Sequence, residues 1–382
     1  MGANGASILE RLDERAREGD LPERSSSRID SPSTMPEKYS ISPRTPLDAP
    51  FPAGSLFLAP MVALSHRALR ELLLEFGGLD FAYTEMASAG AAVSGSPYED
   101  CYLDSGPDPS KVVYQLYTAK SERLPEALAM LKDRQGQTGQ VFGPPVFGAD
   151  INFGCAAPHI TRSGGGAAWM RDPEKAFALV REARSAWDKH LSAKIRLGQE
   201  DDYDALADFV RGLAEAGIEY VAVHPRLEGQ KFRRQGRWDY VARLVQEMPI
   251  PIVGNGDIRS WSDYRKRRDE AQPAGIMIGR EAARRPWIFA LLRGKERNPA
   301  FSMEIDLRAT ALRMLDLIEE RLIEEFRLTR AQRFFFYYAD NFSYAHYIKW
   351  KLVNASDLDS MRRELDAYFK EVPTDRMKVY IE

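Results

Sequence analysis

The chain has 382 residues, a length that allows one large domain or two ordinary ones. Apolar residue types make up 44% and charged types 29%, so the chain can bury a substantial core and is not disordered throughout. Lysine and arginine number 53 against 56 acidic residues, for a net charge of -3. This balance does not indicate a nucleic-acid binder, although it leaves room for a local basic surface.

The number of cysteines and the N-terminal sequence exclude further classes of protein. Cys101 and Cys155 are the only cysteines, which excludes a disulfide framework and a four-cysteine zinc site. The N-terminus lacks the short apolar core of a secretory signal, and no run of 18 apolar residues occurs. We expect a cytoplasmic monomer with no membrane partner and no metal.

Residues 1–50 are rich in serine, proline and charge. Such a segment buries too little apolar surface to offset the entropy lost on ordering. We predict a disordered or flexible tail here, with one short helix over residues 9–17.

From Leu56 onward, short apolar runs alternate with amphipathic stretches of helical length. The eight runs are SLFLAP (55–60), FAYTEM (81–86), VVYQLY (112–117), ADINF (149–153), SAKIRL (192–197), YVAVH (220–224), IPIVGN (250–255) and GIMIG (275–279). The helical stretches include 65–76, 173–187, 203–216 and 238–247. Eight such units predict an α/β fold, a (β/α)8 TIM barrel over residues 51–296. An open doubly wound sheet is the alternative, but no glycine-rich dinucleotide motif follows the first strand.

After about residue 297 the pattern changes to helical periodicity without strand-like runs. The segment begins with FSMEIDLRATALRMLDLIEERLIEEF, in which apolar residues recur at helical spacing. We therefore predict a second, all-helical domain over residues 297–382.

In a TIM barrel, reactive groups lie at the C-terminal ends of the strands. In chain order these positions hold Pro60 and Met61, Glu85, Gln115, Asn152 with Cys155, Lys194 with Arg196, His224 with Arg226, Asn255 with Gly256, and Gly279 with Arg280. A purely structural barrel has little reason to place so many polar groups there, because each costs free energy to desolvate without a partner. Their convergence predicts a functional site.

The last two strands end in GNGD (254–257) and IGR (278–280). Backbone amides in the loops after strands seven and eight form the phosphate site common in this fold. Gly-Asn-Gly is also an ordinary turn sequence. Both motifs together, at these strand ends, predict a phosphorylated cofactor.

The ordered motifs LAPM, YTEM, QLY, DINFGC, SGGGAA, KIRLG, VHPR, GNGD and IGR resemble those of the tRNA dihydrouridine synthase family. The resemblance covers residues 56 to about 292. It implies a barrel that binds FMN, followed by a helical RNA-recognition domain. It also implies reduction of the C5=C6 bond of a uridine in tRNA, with NADPH as the reductant of the flavin. Ribosomal RNA is the alternative substrate.

The resemblance also implies roles for individual residues. The set implied to bind FMN is Pro60, Met61, Gln115, Lys194, His224, Asn255, Gly256, Gly279 and Arg280. The set implied to contact the uridine is Asn152, Arg196 and Arg226. Cys155 is implied to be the general acid that protonates C5, whereas Glu85 has no role beyond a ribose or loop contact.

A cysteine suits the acid role because an ordinary thiol stays mostly protonated at neutral pH. The alternative for any free cysteine is a buried structural position. We prefer the acid for Cys155, which follows a strand end, and the structural position for Cys101. Two departures from the family pattern, Ala156 in place of proline and Ser65-His66 in place of Thr-Asp, affect loop geometry and substrate position more than the chemistry. We interpret His66 and His159 as structural or solvated residues.

Residues 326–351 read FRLTRAQRFFFYYADNFSYAHYIKWK, with five basic residues against one acid and aromatics between them. Such interleaving suits phosphate contacts and base stacking, although the aromatics fit a helical core equally well. We predict that Arg327, Arg330 and Arg333 contact RNA. Two other functions are a small-molecule flavin oxidoreductase of the dihydroorotate type and a non-catalytic RNA-binding barrel. The basic segment argues against the first, and retention of Cys155 and Lys194 argues against the second.

Overall fold

A computed structural model describes residues 49–136, 146–230 and 234–382, without the side chains of residues 134–136. The predicted short helix over residues 9–17 and nearly all of the predicted tail lie outside the described residues.

The centre of the molecule is a closed barrel of parallel strands. The strands are β1 (Ser55–Leu58), β2 (Phe81–Tyr83), β3 (Ala87–Ser88), β4 (Val112–Tyr117), β5 (Gly148–Phe153), β6 (His190–Ile195), β7 (Tyr220–Val223), β8 (Ile252–Asn255) and β9 (Gly275–Ile278). β3 is a two-residue extension that pairs with β4 after β2 has ended. Closure is visible at Phe57, which lies opposite Phe81 of β2 and Met277 of β9. The eight predicted strands and the TIM barrel are confirmed, and the open sheet is excluded.

The barrel region carries helices between the strands and after β9. They are α1 (Arg67–Phe76), α2 (Ala89–Val93), α3 (Pro97–Tyr102), α4 (Arg123–Gly136), α5 (Pro158–Arg162), α6 (Pro173–Ala186), α7 (Tyr203–Ala216), α8 (Trp238–Glu247), α9 (Trp261–Ala271), α10 (Arg280–Arg284) and α11 (Ile288–Arg297). In α7 the Asp202 side chain accepts from the Ala205 N–H at 3.0 Å, and Gly217 ends the helix in the left-handed conformation. The predicted helices over 203–216 and 238–247 are confirmed.

The barrel interior is layered because successive strand residues face opposite sides of the sheet. Its N-terminal end is closed by aromatic rings, with Phe51 5.0 Å from Phe57 and 5.1 Å from Tyr220 between ring centroids. Above them, Tyr83 lies 3.1 Å from Tyr220 and 3.2 Å from Ser192 between hydroxyl oxygens. The interior thus changes from apolar to polar toward the C-terminal ends of the strands.

The C-terminal region packs against the barrel mainly through helices. Its elements are β10 (Met303–Asp306), α12 (Leu307–Arg321), α13 (Glu324–Tyr338), α14 (Ala345–Val353), α15 (Leu358–Glu371) and β11 (Met377–Tyr380). The region is predominantly helical, and β10 and β11 add one antiparallel pair that the sequence did not predict. These strands are four residues each and lie far apart in the chain, so no hairpin turn signals their pairing. Among the described residues, no helix has the length and apolar character needed to cross a bilayer.

Candidate active site

A cavity of about 600 Å³ opens at the C-terminal ends of the barrel strands. All nine residues that the sequence assigned to cofactor binding line it, as do Asn152, Cys155, Arg196 and Arg226. The helical region completes the wall with Arg333 and Tyr337. The cavity therefore lies where the barrel and the helical region meet, and it gathers side chains from both.

The turn that carries Cys155 is held from two sides. The Asn152 Oδ1 atom accepts the backbone N–H groups of Gly154 at 3.1 Å and Cys155 at 2.8 Å. On the other side, Arg196 Nε donates to the Gly154 carbonyl at 2.9 Å, and its Nη1 donates to the Leu227 carbonyl at 3.3 Å. These bonds fix the backbone of the turn and hence the direction of the thiol.

The glycine loop, residues 163–168 (SGGGAA), packs directly on the same turn. A Cβ atom at Gly166 would lie 2.5 Å from the carbonyl oxygen of Cys155 and 3.0 Å from its Cβ, and Gly166 has a φ of +58°. The Ala167 N–H donates to that carbonyl at 3.0 Å. The proline of this loop is Pro158, which begins α5 rather than following Cys155 directly. Backbone contacts with the glycine loop thus support the turn at the position where the family pattern has proline.

Below Asn152, a buried chain of side-chain hydrogen bonds crosses three strands. Asn152 Nδ2 donates to Gln115 Oε1 at 2.9 Å, and Gln115 Nε2 donates to Asp150 Oδ2 at 2.8 Å. Asp150 Oδ1 accepts from the Ser192 hydroxyl at 2.7 Å. Neither Asp150 nor Ser192 was among the predicted site residues. The signal was present, since each precedes a predicted site residue on its strand by two positions and so faces the same side.

Lys194 extends into the cavity from β6. Burial and the neighbouring Arg196 guanidinium lower the pKa of Lys194 to about 8, although Asp150 and Cys155 act in the opposite direction. Among the described residues, no carboxylate lies within salt-bridge distance of its ammonium group. Lys194 is therefore a cation facing the cavity and suited to an anionic or electron-rich ligand.

His224 is a neutral side chain in a cationic surrounding. Burial first, and then the charges of Lys194 and three arginines, lower its pKa to about 2. Arg226 Nη1 lies 3.1 Å from His224 Nε2, and because guanidinium only donates, this ring nitrogen is the acceptor. The proton of the neutral ring is consequently on Nδ1.

Arg226, predicted to contact substrate, lines the cavity but has internal partners. It forms a buried ion pair with Asp257 and donates to the Arg234 carbonyl at 2.7 Å. These contacts tie the loop after β7 to the GNGD loop after β8. The structure thus favours a loop-holding role for Arg226 over a direct substrate contact.

The two glycine motifs form the floor beside this ion pair. Gly256 has a φ of +116°, and a Cβ atom there would lie 3.1 Å from the His224 ring. Asn255 Nδ2 donates to the Met277 carbonyl at 2.8 Å and so links β8 to β9. Gly279 and Arg280 follow β9 on the same wall. Glycine backbone in a loop next to an arginine is suited to a phosphate group.

Two residues hold the loop after β1: Met61, which lines the cavity, and Glu85, which lies outside the lining. The Met61 N–H donates to Ser65 Oγ at 2.9 Å and the Met61 carbonyl accepts from Leu64 and Ser65, so its backbone polar groups are engaged within the loop. Glu85 Oε1 accepts the N–H of Ala63, which has a left-handed φ of +61°. The loop contact that was one option for Glu85 is thus present in the structure.

The three arginines predicted to contact RNA separate in the structure. Arg333 is exposed and lines the cavity, with its guanidinium 5.3 Å from the Tyr337 ring. Arg327 Nε donates to the Leu322 carbonyl at 2.9 Å. Arg330 is only 9% exposed and lies 3.7 Å from Glu85 of the barrel. An RNA contact by Arg330 is not supported, because its charge is buried against a carboxylate.

The remaining predicted residues lie away from the cavity lining. Cys101 is in α3, where its thiol lies 3.6 Å from the Pro97 carbonyl and burial raises its pKa. His66 is buried and caps the N-terminus of α1, and His159 is exposed. These positions agree with the structural or solvated interpretation of all three residues.

Comparison with known proteins matches this architecture to one family. Residues 57–373 match the family model described as "Dihydrouridine synthase (Dus)". A curated relative from Aquifex aeolicus (strain VF5), named "Probable tRNA-dihydrouridine synthase", is 31% identical over 71% of this chain and 80% of its own length. Relatives named "tRNA-dihydrouridine(16) synthase" from Cupriavidus necator and Pseudomonas syringae pv. tomato are 33% and 32% identical. These matches cover 63% and 60% of this chain and 73% and 71% of the relatives.

Proposed function

The chain belongs to the dihydrouridine synthase family, and on that premise we propose that it reduces a uridine of tRNA to 5,6-dihydrouridine, with bound FMN and with NADPH as reductant. The observation that carries the proposal is the placement of Cys155, held by Asn152 and Arg196, on a cavity that also presents Lys194 and the two glycine motifs. A proton donor thus faces a site with the features of a flavin phosphate site.

The cavity residues fit FMN in volume, charge and backbone exposure. About 600 Å³ lies within the range of cofactor sites in proteins. Gly256 and Gly279 line the cavity without a side chain of their own, on the wall that holds Arg280, which suits a phosphate. When bound, FMN supplies the hydride that C6 of the uracil receives.

Three side chains are suited to the ring of the flavin. Lys194 would bind the polar rim and stabilise negative charge there, because it is cationic below a pKa of about 8. Gln115 has one amide N–H engaged by Asp150 and a second available toward the cavity that it lines. His224 lines the cavity and carries no positive charge of its own.

Cys155 would hold the proton that C5 of the uracil receives. Proton transfer by a positioned acid requires a defined distance to the accepting atom. That distance depends on the backbone of the turn, which is held in place by Asn152, Arg196 and the glycine loop at Gly166. Cys155 itself lines the cavity.

The helical region supplies features suited to RNA at the edge of the cavity. Phe336 is 46% exposed, with Lys349 Nζ 5.0 Å and the Arg333 guanidinium 5.9 Å from its ring. An exposed ring flanked by cations suits base stacking and phosphate contacts. A small-molecule reductase has no need of this surface. The names of the relatives specify tRNA, which favours tRNA over ribosomal RNA.

The test combines cofactor analysis with RNA mapping. Purified protein should be yellow, release FMN on denaturation and be bleached anaerobically by NADPH. In a deletion strain, mass spectrometry of total tRNA and rRNA should show the loss of one class of dihydrouridine in tRNA, restored by the wild-type gene and not by Cys155→Ala. Loss confined to rRNA would overturn the tRNA assignment. An unchanged profile, with a protein that binds no FMN, would reject the function.

A further inference from the structure

We propose that Asp150 is a positioning residue of the active site, whose carboxylate anchors the Gln115 amide and, through it, supports Asn152 and the turn that carries Cys155. The consequence for catalysis rests on the proposed function, whereas the hydrogen-bond arrangement itself does not.

The groups at the two ends of this series of hydrogen bonds, the backbone N–H groups of the Cys155 turn and the Asp150 carboxylate, fix which group donates in each bond. The backbone N–H groups of Gly154 and Cys155 can only donate, so the oxygen of the Asn152 amide must face them. The nitrogen of Asn152 then faces Gln115, which must present its oxygen. The nitrogen of Gln115 is left to face Asp150, and an ionised carboxylate is an acceptor only.

Asp150 therefore supplies the last acceptor in this series of hydrogen bonds, and an apolar residue at this position would leave Gln115 Nε2 without a partner. Without it, the Gln115 Nε2 atom would lose its fixed partner, and the terminal torsion of the side chain would be free to rotate. One N–H of Gln115 would no longer be held toward the cavity. Asn152 would lose the support of a partner whose oxygen is fixed in place, which would loosen its hold on the Cys155 turn.

The surroundings of Asp150 match an anchoring carboxylate. Asp150 is 1% exposed and accepts from Gln115 and Ser192, one on each oxygen. Burial raises the pKa of Asp150 to about 7, against the effects of its two hydrogen bonds and of Lys194. The carboxylate does not line the cavity, so it acts through Gln115 and not on a bound ligand.

Ser192 offers a matched control on the same carboxylate. Its hydroxyl bonds the other oxygen of Asp150 and lies on the side away from Gln115. Ser192→Ala removes one buried hydrogen bond from Asp150 while leaving the chain from Asp150 to Cys155 intact. Asp150→Leu keeps the number and branching of the side-chain heavy atoms and removes the acceptor, whereas Asp150→Asn keeps an oxygen that can accept from Gln115.

The first measurement uses protein without FMN at pH 8, where Asp150 is ionised. In wild-type spectra recorded by ¹⁵N–¹H NMR, one of the two Gln115 side-chain protons should be protected from exchange with solvent. Asp150→Leu should abolish this protection and shift the Gly154 and Cys155 amide signals, whereas Ser192→Ala and Asp150→Asn should preserve all three features. Rapid solvent exchange of both Gln115 side-chain protons in the wild-type protein would overturn the proposal without the need for any variant.

The second measurement asks whether the anchor matters to the site. Asp150→Leu should raise the dissociation constant of FMN about tenfold, which corresponds to the loss of one hydrogen bond. For Ser192→Ala and Asp150→Asn, the dissociation constant should stay within about twofold of the wild-type value. Equal losses in Ser192→Ala and Asp150→Leu would overturn the proposal, because they would indicate general weakening of the core. If the NMR result holds but wild-type protein binds no FMN and forms no dihydrouridine, the proposed function fails and the arrangement stands.

Discussion

Glu85 of the barrel and Arg330 of the helical region form an ion pair at 3.7 Å across the interface between them. Both side chains are buried, and the same Glu85 oxygen accepts the Ala63 N–H in the loop beside the cavity. Burial raises the pKa of Glu85, and the positive charge of Arg330 opposes this effect. One carboxylate thus links the helical region to a loop of the candidate active site.

This pair should be a major contact between the two regions. Because removal of one partner leaves the other as a buried unpaired charge, Glu85→Gln and Arg330→Met should each lower the free energy of unfolding by about 3–5 kcal/mol. The double variant should lose less than the sum of the two, as measured by chemical denaturation. The exposed interface pair of Glu75 and Arg313 is the control, with an expected cost below about 1 kcal/mol. Strictly additive losses for Glu85 and Arg330 would contradict the coupling.

Cys155→Ala should abolish dihydrouridine formation while FMN binding and the melting temperature stay at wild-type values. Loss of a general acid reduces a rate by about 100-fold to 10,000-fold, and single-turnover assays on tRNA would measure it. Cys101→Ala is the matched control, because the Cys101 thiol lies outside the cavity lining and should be dispensable. Wild-type turnover by Cys155→Ala would place the acid elsewhere.

Gly166→Ala should displace the Cys155 turn, because the added methyl group would lie 2.5 Å from the Cys155 carbonyl oxygen. We expect at least about a tenfold loss of turnover, the effect of roughly 1.4 kcal/mol in the barrier. Gly164→Ala is the control: it also has a positive φ, of +91°, but its nearest neighbour is 3.8 Å away. Both variants carry the strain of a left-handed alanine. Equal activities in the two would show that backbone strain, not contact with Cys155, is the cause.

FMN affinity should fall as pH rises through the pKa of Lys194, about 8. The ammonium form attracts FMN, so binding is tightest below pH 8 and weakens as the proton is lost. If FMN raises this pKa by one unit, the dissociation constant should increase about fivefold between pH 7 and pH 9. Fluorescence quenching of added FMN measures it. Lys194→Arg stays charged over this range and should show no such change; a pH dependence that persists in this variant would assign the titration to another group.

Arg333→Gln should weaken tRNA binding and flatten its salt dependence, because Arg333 is exposed beside the cavity. Each lost phosphate contact lowers the slope of log affinity against log salt by about 0.7–0.9. Arg265→Gln, at an exposed arginine outside the cavity lining, should leave the slope unchanged. Arg327→Gln tests the second predicted contact in the same titration. Binding by Arg333→Gln that equals wild type at low and high salt would remove this surface as the RNA site.

The sequence was sufficient for the barrel and for most of its site. Eight short apolar runs separated by helix-like stretches indicated the strands, and the ends of these runs indicated which residues lie at the C-terminal face of the barrel. Strand-end positions such as Gln115, Lys194 and Asn255 could therefore be assigned to one face from the sequence alone. These features depend on local periodicity and on a general property of barrels, and local order is written directly in a sequence.

The tertiary structure decided which polar groups face a ligand and which bind one another. The sequence predicted the same role, substrate contact, for Arg226, Arg330 and Arg333. In the structure, however, Arg226 pairs with Asp257 and Arg330 pairs with Glu85, each a carboxylate distant in the chain. In the same way, folding brings Gln115, which lies 35 positions before Asp150 in the chain, to a distance of 2.8 Å between Gln115 Nε2 and Asp150 Oδ2. Such partners meet only when the chain closes on itself, and contact between distant segments leaves no local pattern. The sequence by itself determined which strand-end residues of the barrel line the cavity, and the three-dimensional contacts decided which partners each of them has there.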